Sequence, residues 1–137
     1  MSAASVLRQK CLKAAQKLAR MSAADDDGYC SCVSCNKSLH YKQMDGGHFI
    51  PKGASSFWSL KQININPQCK GCNGFGMRHG SAAQSYTLWM IETHGQPVVD
   101  DMLLKKNEIC KMLKADYVDL LKELESLINI ERERLGE

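Results

Sequence analysis

Residues 32–35 read Cys-Val-Ser-Cys and residues 69–72 read Cys-Lys-Gly-Cys, with 33 residues between the two CxxC pairs. Each pair can place two thiolates on one metal ion, and two pairs complete a tetrahedral Zn²⁺ site with no open position. Such a site is structural, because metal binding then supplies folding free energy directly. The two pairs therefore predict a small zinc-stapled domain built on Cys32, Cys35, Cys69 and Cys72.

The composition of the chain supports a metal site rather than a disulfide framework. The 137 residues are 44% hydrophobic and 24% charged, which fits one compact soluble domain with an appendage. Residues 1–20 carry five Lys/Arg and never form the apolar run of a signal peptide, and no stretch is long enough to span a bilayer. We therefore expect a cytoplasmic protein with no membrane partner, whose seven cysteines stay reduced.

The net charge of +3 hides an asymmetry along the chain. Residues 1–80 hold 11 Lys/Arg against four Asp, whereas residues 81–137 hold 7 basic and 11 acidic residues. A basic half indicates a polyanionic partner, of which nucleic acid is the commonest. Four cations share one face of a helix predicted over residues 5–21, where they could follow a phosphate backbone or simply be solvated: Lys10, Lys13, Lys17 and Arg20.

The changes in composition divide the chain into three segments. Residues 1–28 are predicted as the basic amphipathic helix and a turn, and residues 29–95 as the zinc-bound core. Residues 96–137 are predicted as a C-terminal helical extension. Its apolar residues alternate at spacings of four and three, which suits packing against the N-terminal helix or a second subunit: Leu113, Tyr117, Leu120, Leu124 and Leu127.

Within the core, short strands are predicted around residues 39–50 and 60–66, with tight turns near them at Gly46, Gly47 and Gly53. A helix is predicted over residues 81–94, where Ser81 and Gln84 have the spacing of a capping box. These elements and the flanking helices predict an α+β protein.

The stretch between the CxxC pairs carries side chains that a zinc knuckle does not need. Residues 45–53 read Asp-Gly-Gly-His-Phe-Ile-Pro-Lys-Gly, Asn64 follows later, and Asn73 comes directly after the last cysteine. A strand with a catalytic His, followed by a loop and a helix with a metal ligand, is the arrangement of ββα-metal (HNH-type) nucleases. We therefore predict a small treble-clef, ββα-metal (HNH-like) nuclease core flanked by an N-terminal helix and C-terminal helices.

These motifs together resemble the NinG (Rap) recombination-protein family of lambdoid phages, from about Ala19 to the C-terminal helices. The order of CxxC, acid and His, then CxxCN also resembles the phage recombination endonuclease VII. The resemblance implies a metal-dependent DNA endonuclease that acts on branched recombination intermediates such as Holliday junctions and D-loops. For a phage-encoded protein, the place of action would be the host bacterial cytoplasm.

Each candidate catalytic residue suits one part of phosphodiester hydrolysis. His48, neutral near pH 7, can accept a proton from water as the general base. Asn64 can hold the imidazole in one tautomer, or it can cap a turn. A hard cation, Mg²⁺ or Mn²⁺, would stabilise the leaving oxygen, and Asp45 and Asn73 offer the oxygen ligands that it prefers.

The identity of the remaining metal ligand stays open at this stage. In most ββα-metal nucleases an acid or a His directly precedes the catalytic His, whereas this chain has Gly47 there. Asp45, three residues before His48, is one candidate ligand, and His79 on the following helix is its rival. Three further cations are candidates for binding phosphate oxygens: Lys52, Lys70 and Arg78.

Two other functions fit part of the same pattern. A non-enzymatic zinc module that binds DNA would explain the cysteines and the basic half, but not His48, Asn64 and Asn73. An HNH nuclease that cuts linear duplex DNA is the other alternative. Cutting a junction needs two active sites on opposing strands, so we expect a two-fold homodimer, with the C-terminal helices as one possible interface.

Overall fold

In a computed structural model that describes residues 1–137, the chain begins with helix α1 over Ala3–Ala23. The hydroxyl of Ser2 accepts a hydrogen bond from the amide of Ser5 at 3.1 Å and so caps the first turn. The helix is two residues longer at each end than the pattern predicts. Its buried face runs at helical spacing along one side: Cys11, Leu12, Ala15, Leu18 and Met21.

Two antiparallel hairpins follow α1. Strand β1 (Tyr29–Ser31) pairs with β2 (Ser38–His40), and β3 (Met44–His48) pairs with β4 (Ile65–Cys69). The predicted strand over 39–50 divides into β2 and β3 at a short 3-10 turn, and the other predicted strand, over 60–66, begins later, at residue 65. The sequence reasoning did not predict β1, which has three residues and too short a pattern to detect.

The chain after β4 is helical. Residues 70–79 form one segment, whose middle turn, Cys72–Gly76, is π-helical and whose last turn is α2, Met77–His79. Helices α3 (Ala82–His94), α4 (Gln96–Leu104) and α5 (Lys114–Arg134) complete the chain, so the α+β prediction is confirmed. No helix has the length and apolarity that crossing a membrane requires.

The ends of α3 agree with the sequence prediction only in part. Gly95 adopts a φ of +93° and its amide bonds the carbonyl of Ile91, so the helix stops where the glycine predicts. Ser81 occupies the N-cap position, but its side chain makes no capping hydrogen bond. The predicted capping box of Ser81 and Gln84 is therefore wrong, because the backbone at Ser81, with a ψ of 9°, lacks the extended conformation typical of that motif.

Two apolar cores lie beside the β3–β4 hairpin. The first joins α1 and α5 to both hairpins through side chains such as Met21, Met44 and Leu124. The second joins the loop after β3 to α3 and α4 through Trp58, Tyr86 and other side chains. Side chains from all three segments predicted from the sequence (1–28, 29–95 and 96–137) therefore pack together in these cores.

The apolar stripe of α5 packs against α1 of the same chain. Tyr117 and Leu124 are buried in the first core, whereas Leu113 is 76% exposed at the start of the helix. Of the two partners that the stripe allows, the N-terminal helix is the one observed. The expected homodimer stays a prediction, and the buried part of this stripe is not available to a second subunit.

Candidate metal centre and basic groove

The four cysteines of the two CxxC pairs lie together at one end of the β3–β4 hairpin. Their sulfur atoms are all within 4.8 Å of one another, and those of Cys35 and Cys69 are 3.7 Å apart. A tetrahedron with Zn–S bonds of about 2.3 Å has edges of about 3.8 Å. The cluster therefore has a geometry that could hold a zinc ion.

The electrostatics of the cluster also suit a cation. Burial raises the pKa of the Cys32 thiol, but backbone hydrogen bonds outweigh it and leave the pKa below its ordinary value. The pKa of Cys72 is raised by burial and by the neighbouring thiols of Cys69 and Cys35. Adjacent thiolates repel one another, and a bound Zn²⁺ would offset that repulsion.

The cluster connects three elements of the fold. Cys32 and Cys35 lie on the turn between β1 and β2, Cys69 ends β4, and Cys72 lies on the helical segment 70–79. Cys30, two residues before Cys32, pairs with Leu39 in the first hairpin and is buried in the apolar core. The four-cysteine cluster can therefore join the first hairpin, the second hairpin and the following helical segment.

Next to the cluster, an aspartate and an asparagine face each other across β3 and the helical segment 70–79. One carboxylate oxygen of Asp45 accepts a hydrogen bond from the side-chain Nδ2 of Asn73 at 3.1 Å. The other carboxylate oxygen lies 2.7 Å from the ammonium of Lys70. Burial raises the pKa of Asp45, but these bonds and the charges of Lys70 and Arg20 outweigh it and hold the pKa below its ordinary value. Asp45 is therefore ionised at neutral pH.

The basic face of α1 lies opposite this pair and forms a groove of about 380 Å³ with it. This basic groove is lined by Lys13, Gln16, Lys17 and Arg20 on one side and by Asp45, Lys70 and Asn73 on the other. Arg20 also donates a hydrogen bond to the carbonyl of Met44 at 3.2 Å. Three of the four cations predicted to share a face thus line the groove, whereas Lys10 is exposed nearer the start of α1 and does not.

His48 lies at the other end of β3, 9% exposed. Its Nε2 is 2.9 Å from the backbone carbonyl of Ser59, so this nitrogen carries the hydrogen and the tautomer is set. The other nitrogen, Nδ1, makes no hydrogen bond and retains access to solvent. Burial lowers the pKa of His48 and the charges of Lys52 and Arg8 lower it further, so the imidazole is neutral at pH 7.

Asn64 makes no hydrogen bond to the imidazole, so the first role predicted for it is corrected. Its Oδ1 accepts from the amide of Ile50 at 2.7 Å, and its Nδ2 donates to the carbonyls of Ile50 and Trp58 at 3.0 and 3.1 Å. The side chain is fully buried. It therefore ties the two ends of the loop between β3 and β4 together, next to the Ser59 carbonyl that holds His48.

The structure does not bring His48 into contact with Asp45 or Asn73. His48 comes three positions after Asp45, about 10 Å along the extended strand β3, and side chains three positions apart point to opposite faces of a strand. Gly47, between them, is required by packing, because a Cβ there would lie 1.8 Å from Oε1 of Gln68. This buried glutamine leaves no room for an acid or a His at position 47.

The other predicted site residues lie outside the basic groove. His79 is exposed, packs at a tilt against Phe75 with ring centroids 5.0 Å apart, and does not line the groove that holds Asp45 and Asn73. Arg78 is exposed beside it, and Lys52 is exposed in the loop after β3. The four-cysteine cluster is the one group of three or more His, Cys, Asp or Glu side chains with metal-binding spacing.

Sequence reasoning missed several residues that position the site. The hydroxyl of Ser59 accepts a hydrogen bond from Arg8 at 2.8 Å, and the hydroxyl of Tyr86 donates to the carbonyl of Gly47 at 2.8 Å. Gln68 donates to the hydroxyl of Ser34 at 2.9 Å. The sequence carried no signal for Ser59, since it acts on His48 through its backbone, which every residue has.

The comparisons with known proteins identify one family. The model of the family described as Bacteriophage Lambda NinG protein matches residues 3–133. No curated protein sequence and no solved structure matches the chain. The family match covers both CxxC pairs, His48 and the basic face of α1.

Proposed function

The chain belongs to the NinG family, and from that membership we propose that it is a metal-dependent DNA endonuclease that cuts branched recombination intermediates. The proposal includes a ββα-metal (HNH-like) core, made of β3, β4 and the helical segment 70–79. The cysteine cluster would hold a structural Zn²⁺. The reaction would use His48 on β3 and a divalent cation at Asp45 and Asn73, about 10 Å further back along the strand, so the DNA would have to reach both ends of β3.

The observation that carries the proposal is the state of His48. A general base must be neutral, must have a free lone pair, and must keep that lone pair aimed in one direction. The Ser59 carbonyl holds Nε2–H, so the lone pair lies on Nδ1, which has no partner and reaches solvent. Because its pKa is lowered by burial, the imidazole is ready to take a proton from water at neutral pH.

The Asp45–Asn73 pair suits a hard divalent cation. Mg²⁺ commonly binds to one or two protein oxygens and completes its shell with water and substrate phosphate oxygens. When bound, such a cation would stabilise charge on the leaving oxygen. The ammonium of Lys70 already occupies a cation position against Asp45, and its side chain is 71% exposed, so it can turn away towards a phosphate.

The charge pattern around the groove supports a nucleic-acid substrate. Lys13, Lys17 and Arg20 line one wall, and Asp45 is the one acid among residues 28–91. A cationic wall binds a phosphate backbone without reading its bases. The ion pair of Asp45 with Lys70 is too exposed to contribute much to the stability of the fold. A role in binding a cation would explain this carboxylate better than a role in folding.

Cleavage of a labelled four-way junction and of the matched linear duplex tests the proposal. Each would be incubated with Mg²⁺, Mn²⁺ or no divalent cation, with wild type and His48→Ala. We expect cation-dependent cutting of the junction that falls by about a hundredfold or more in His48→Ala, the scale of general-base catalysis. The zinc content and circular dichroism of both proteins distinguish lost chemistry from lost fold.

Paramagnetic relaxation by Mn²⁺ tests whether the cation binds at Asp45, within reach of His48. We expect Mn²⁺ added with junction DNA to broaden the imidazole signals of His48 in wild type, and not in Asp45→Asn. Equal broadening in both proteins would exclude Asp45 as the ligand. Tight binding of the junction without cutting in any metal would refute the enzyme and leave the zinc-stapled DNA-binding module.

A further inference from the structure

An aromatic ring stands on the surface of the helical segment 70–79, the same segment from which Lys70 and Asn73 line the basic groove. Phe75 is 69% exposed and lies on the π-helical turn Cys72–Gly76, none of whose residues is buried. Its ring packs at a tilt against the imidazole of His79, with centroids 5.0 Å apart and planes at 45°. The two rings form a pair that no other part of the chain covers, which we call the Phe75–His79 platform.

The surroundings of the platform are open and cationic. A Cβ at Gly71 or Gly74 would meet nothing within 4 Å, so the space next to these two glycines of the segment 70–79 is open. Lys70 and Arg78, on the same helical segment, are exposed. No Asp or Glu occurs between residues 46 and 91, and the one carboxylate bonded to this segment, that of Asp45, is paired with the ammonium of Lys70.

The platform is held in a defined position relative to the groove. Cys72, three residues before Phe75, belongs to the four-cysteine cluster, and Asn73, two residues before it, bonds Asp45 at 3.1 Å. A ligand in the basic groove therefore lies close to the turn that carries the ring. A rigid aromatic side chain in such a place offers a stacking face without a large loss of conformational entropy on binding.

We propose that the Phe75–His79 platform stacks on an unpaired base of a DNA strand whose backbone lies in the basic groove. Base–aromatic stacking needs a free π-face, which a branch point or a single-stranded end offers and a continuous duplex does not. The platform would thus select branched over linear DNA. This inference rests on the proposed function, because it explains how the proposed endonuclease would prefer branched DNA.

Binding to DNA with a fluorescent base tests the platform without cleavage. A forked DNA would carry one unpaired 2-aminopurine at the branch, with Ca²⁺ in place of Mg²⁺ to prevent cutting. We expect wild type to quench the fluorescence on binding. Phe75→Ala should bind about tenfold more weakly without quenching, since one stack corresponds to about that factor. Phe75→Trp should restore both properties, and fully paired duplex should bind equally to all three proteins.

Leu88→Ala is the matched control, because Leu88 is 67% exposed on α3, away from the groove lining. It should bind the forked DNA as wild type does. Equal losses in Leu88→Ala and Phe75→Ala would overturn the platform, as would an equal loss on paired duplex or unchanged binding by Phe75→Ala. If wild type quenches the fluorescence but cuts no DNA in the presence of Mg²⁺, the platform is supported and the proposed nuclease activity is refuted.

Discussion

At the scale of the residue, the site depends on groups whose role is set by one neighbour. The imidazole of His48 has a defined tautomer because a backbone carbonyl, that of Ser59, accepts from Nε2. Asp45 stays ionised because Lys70 and Asn73 bond both of its oxygens. Asn64 does not bond His48 itself; it bonds the carbonyl of Trp58, the residue before Ser59, and so helps to position the Ser59 carbonyl. Removing a neighbour therefore changes the chemistry of a residue that is itself intact.

The titration of His48 is the first prediction at this scale. Burial, together with Lys52 and Arg8, lowers its pKa, so the folded protein resists protonation that the unfolded chain accepts below about pH 6.5. The stability that the neutral ring contributes is present above that pH and is lost as the pH falls towards the folded pKa. We expect urea midpoints to decrease from pH 7.5 to 5.5, and less so in His48→Gln.

Titration of the His48 ring signals by nuclear magnetic resonance measures the shift directly. Lys52→Met removes one cation near the ring and should raise the pKa, whereas Lys61→Met, in the same loop, should not. A His48 pKa at or above 6.5 in the wild type would contradict the burial argument.

At the scale of the element, the site depends on how closely α1 approaches β3. Gln16 donates to the carbonyl of Gly46 at 3.4 Å, and Arg20 donates to that of Met44 at 3.2 Å. A Cβ at Gly46 would lie 2.7 Å from the Cβ of Gln16 and 2.8 Å from its Cα. The glycine thus lets the basic face of the helix stand beside Asp45, and the groove exists because the two elements touch.

Gly46→Ala should separate α1 from β3. The clash involves the helix backbone, which cannot move aside cheaply, so we expect a loss of about 1–3 kcal/mol in unfolding free energy. Chemical denaturation measures it. The control is Gly53→Ala, where an added Cβ meets nothing within 4 Å and the midpoint should change little. Equal midpoints for the two variants would show that α1 does not pack on Gly46.

At the scale of the whole molecule, two small apolar cores flank a hairpin that contains three glycine or proline positions, Gly46, Gly47 and Pro67. Such a hairpin contributes few apolar side chains, and strands of three to five residues are weak by themselves. The cysteine cluster joins this hairpin to the first one. A metal there would supply stability that the short strands lack.

Zinc removal should therefore unfold the middle of the chain. We expect one zinc ion per chain by atomic emission, and loss of cooperative thermal unfolding after treatment with a strong chelator. Cys35→Ser should lower both the zinc content and the unfolding temperature. Cys110→Ser is the control, because Cys110 lies outside the cluster. Full zinc content in Cys35→Ser, or an apo protein as stable as the holo form, would refute the structural role.

The sequence by itself determined the features that depend on neighbours in the chain. The CxxC spacing predicted the four-cysteine cluster, since each pair closes a short turn, and helical periodicity predicted α1 and the stripe of α5. The α+β class followed from these elements. Local signals failed where they were shortest: the three-residue strand β1 and the N-cap at Ser81.

Only the tertiary structure decided which distant side chains meet. It placed Asp45 with Asn73 and with the cations of α1, it left His79 outside, and it gave His48 a carbonyl partner instead of Asn64. The physical reason is that these contacts depend on the register of β3 with β4 and on the approach of α1 to Gly46. Both are set by packing between segments far apart in the chain, which no local pattern of residues encodes.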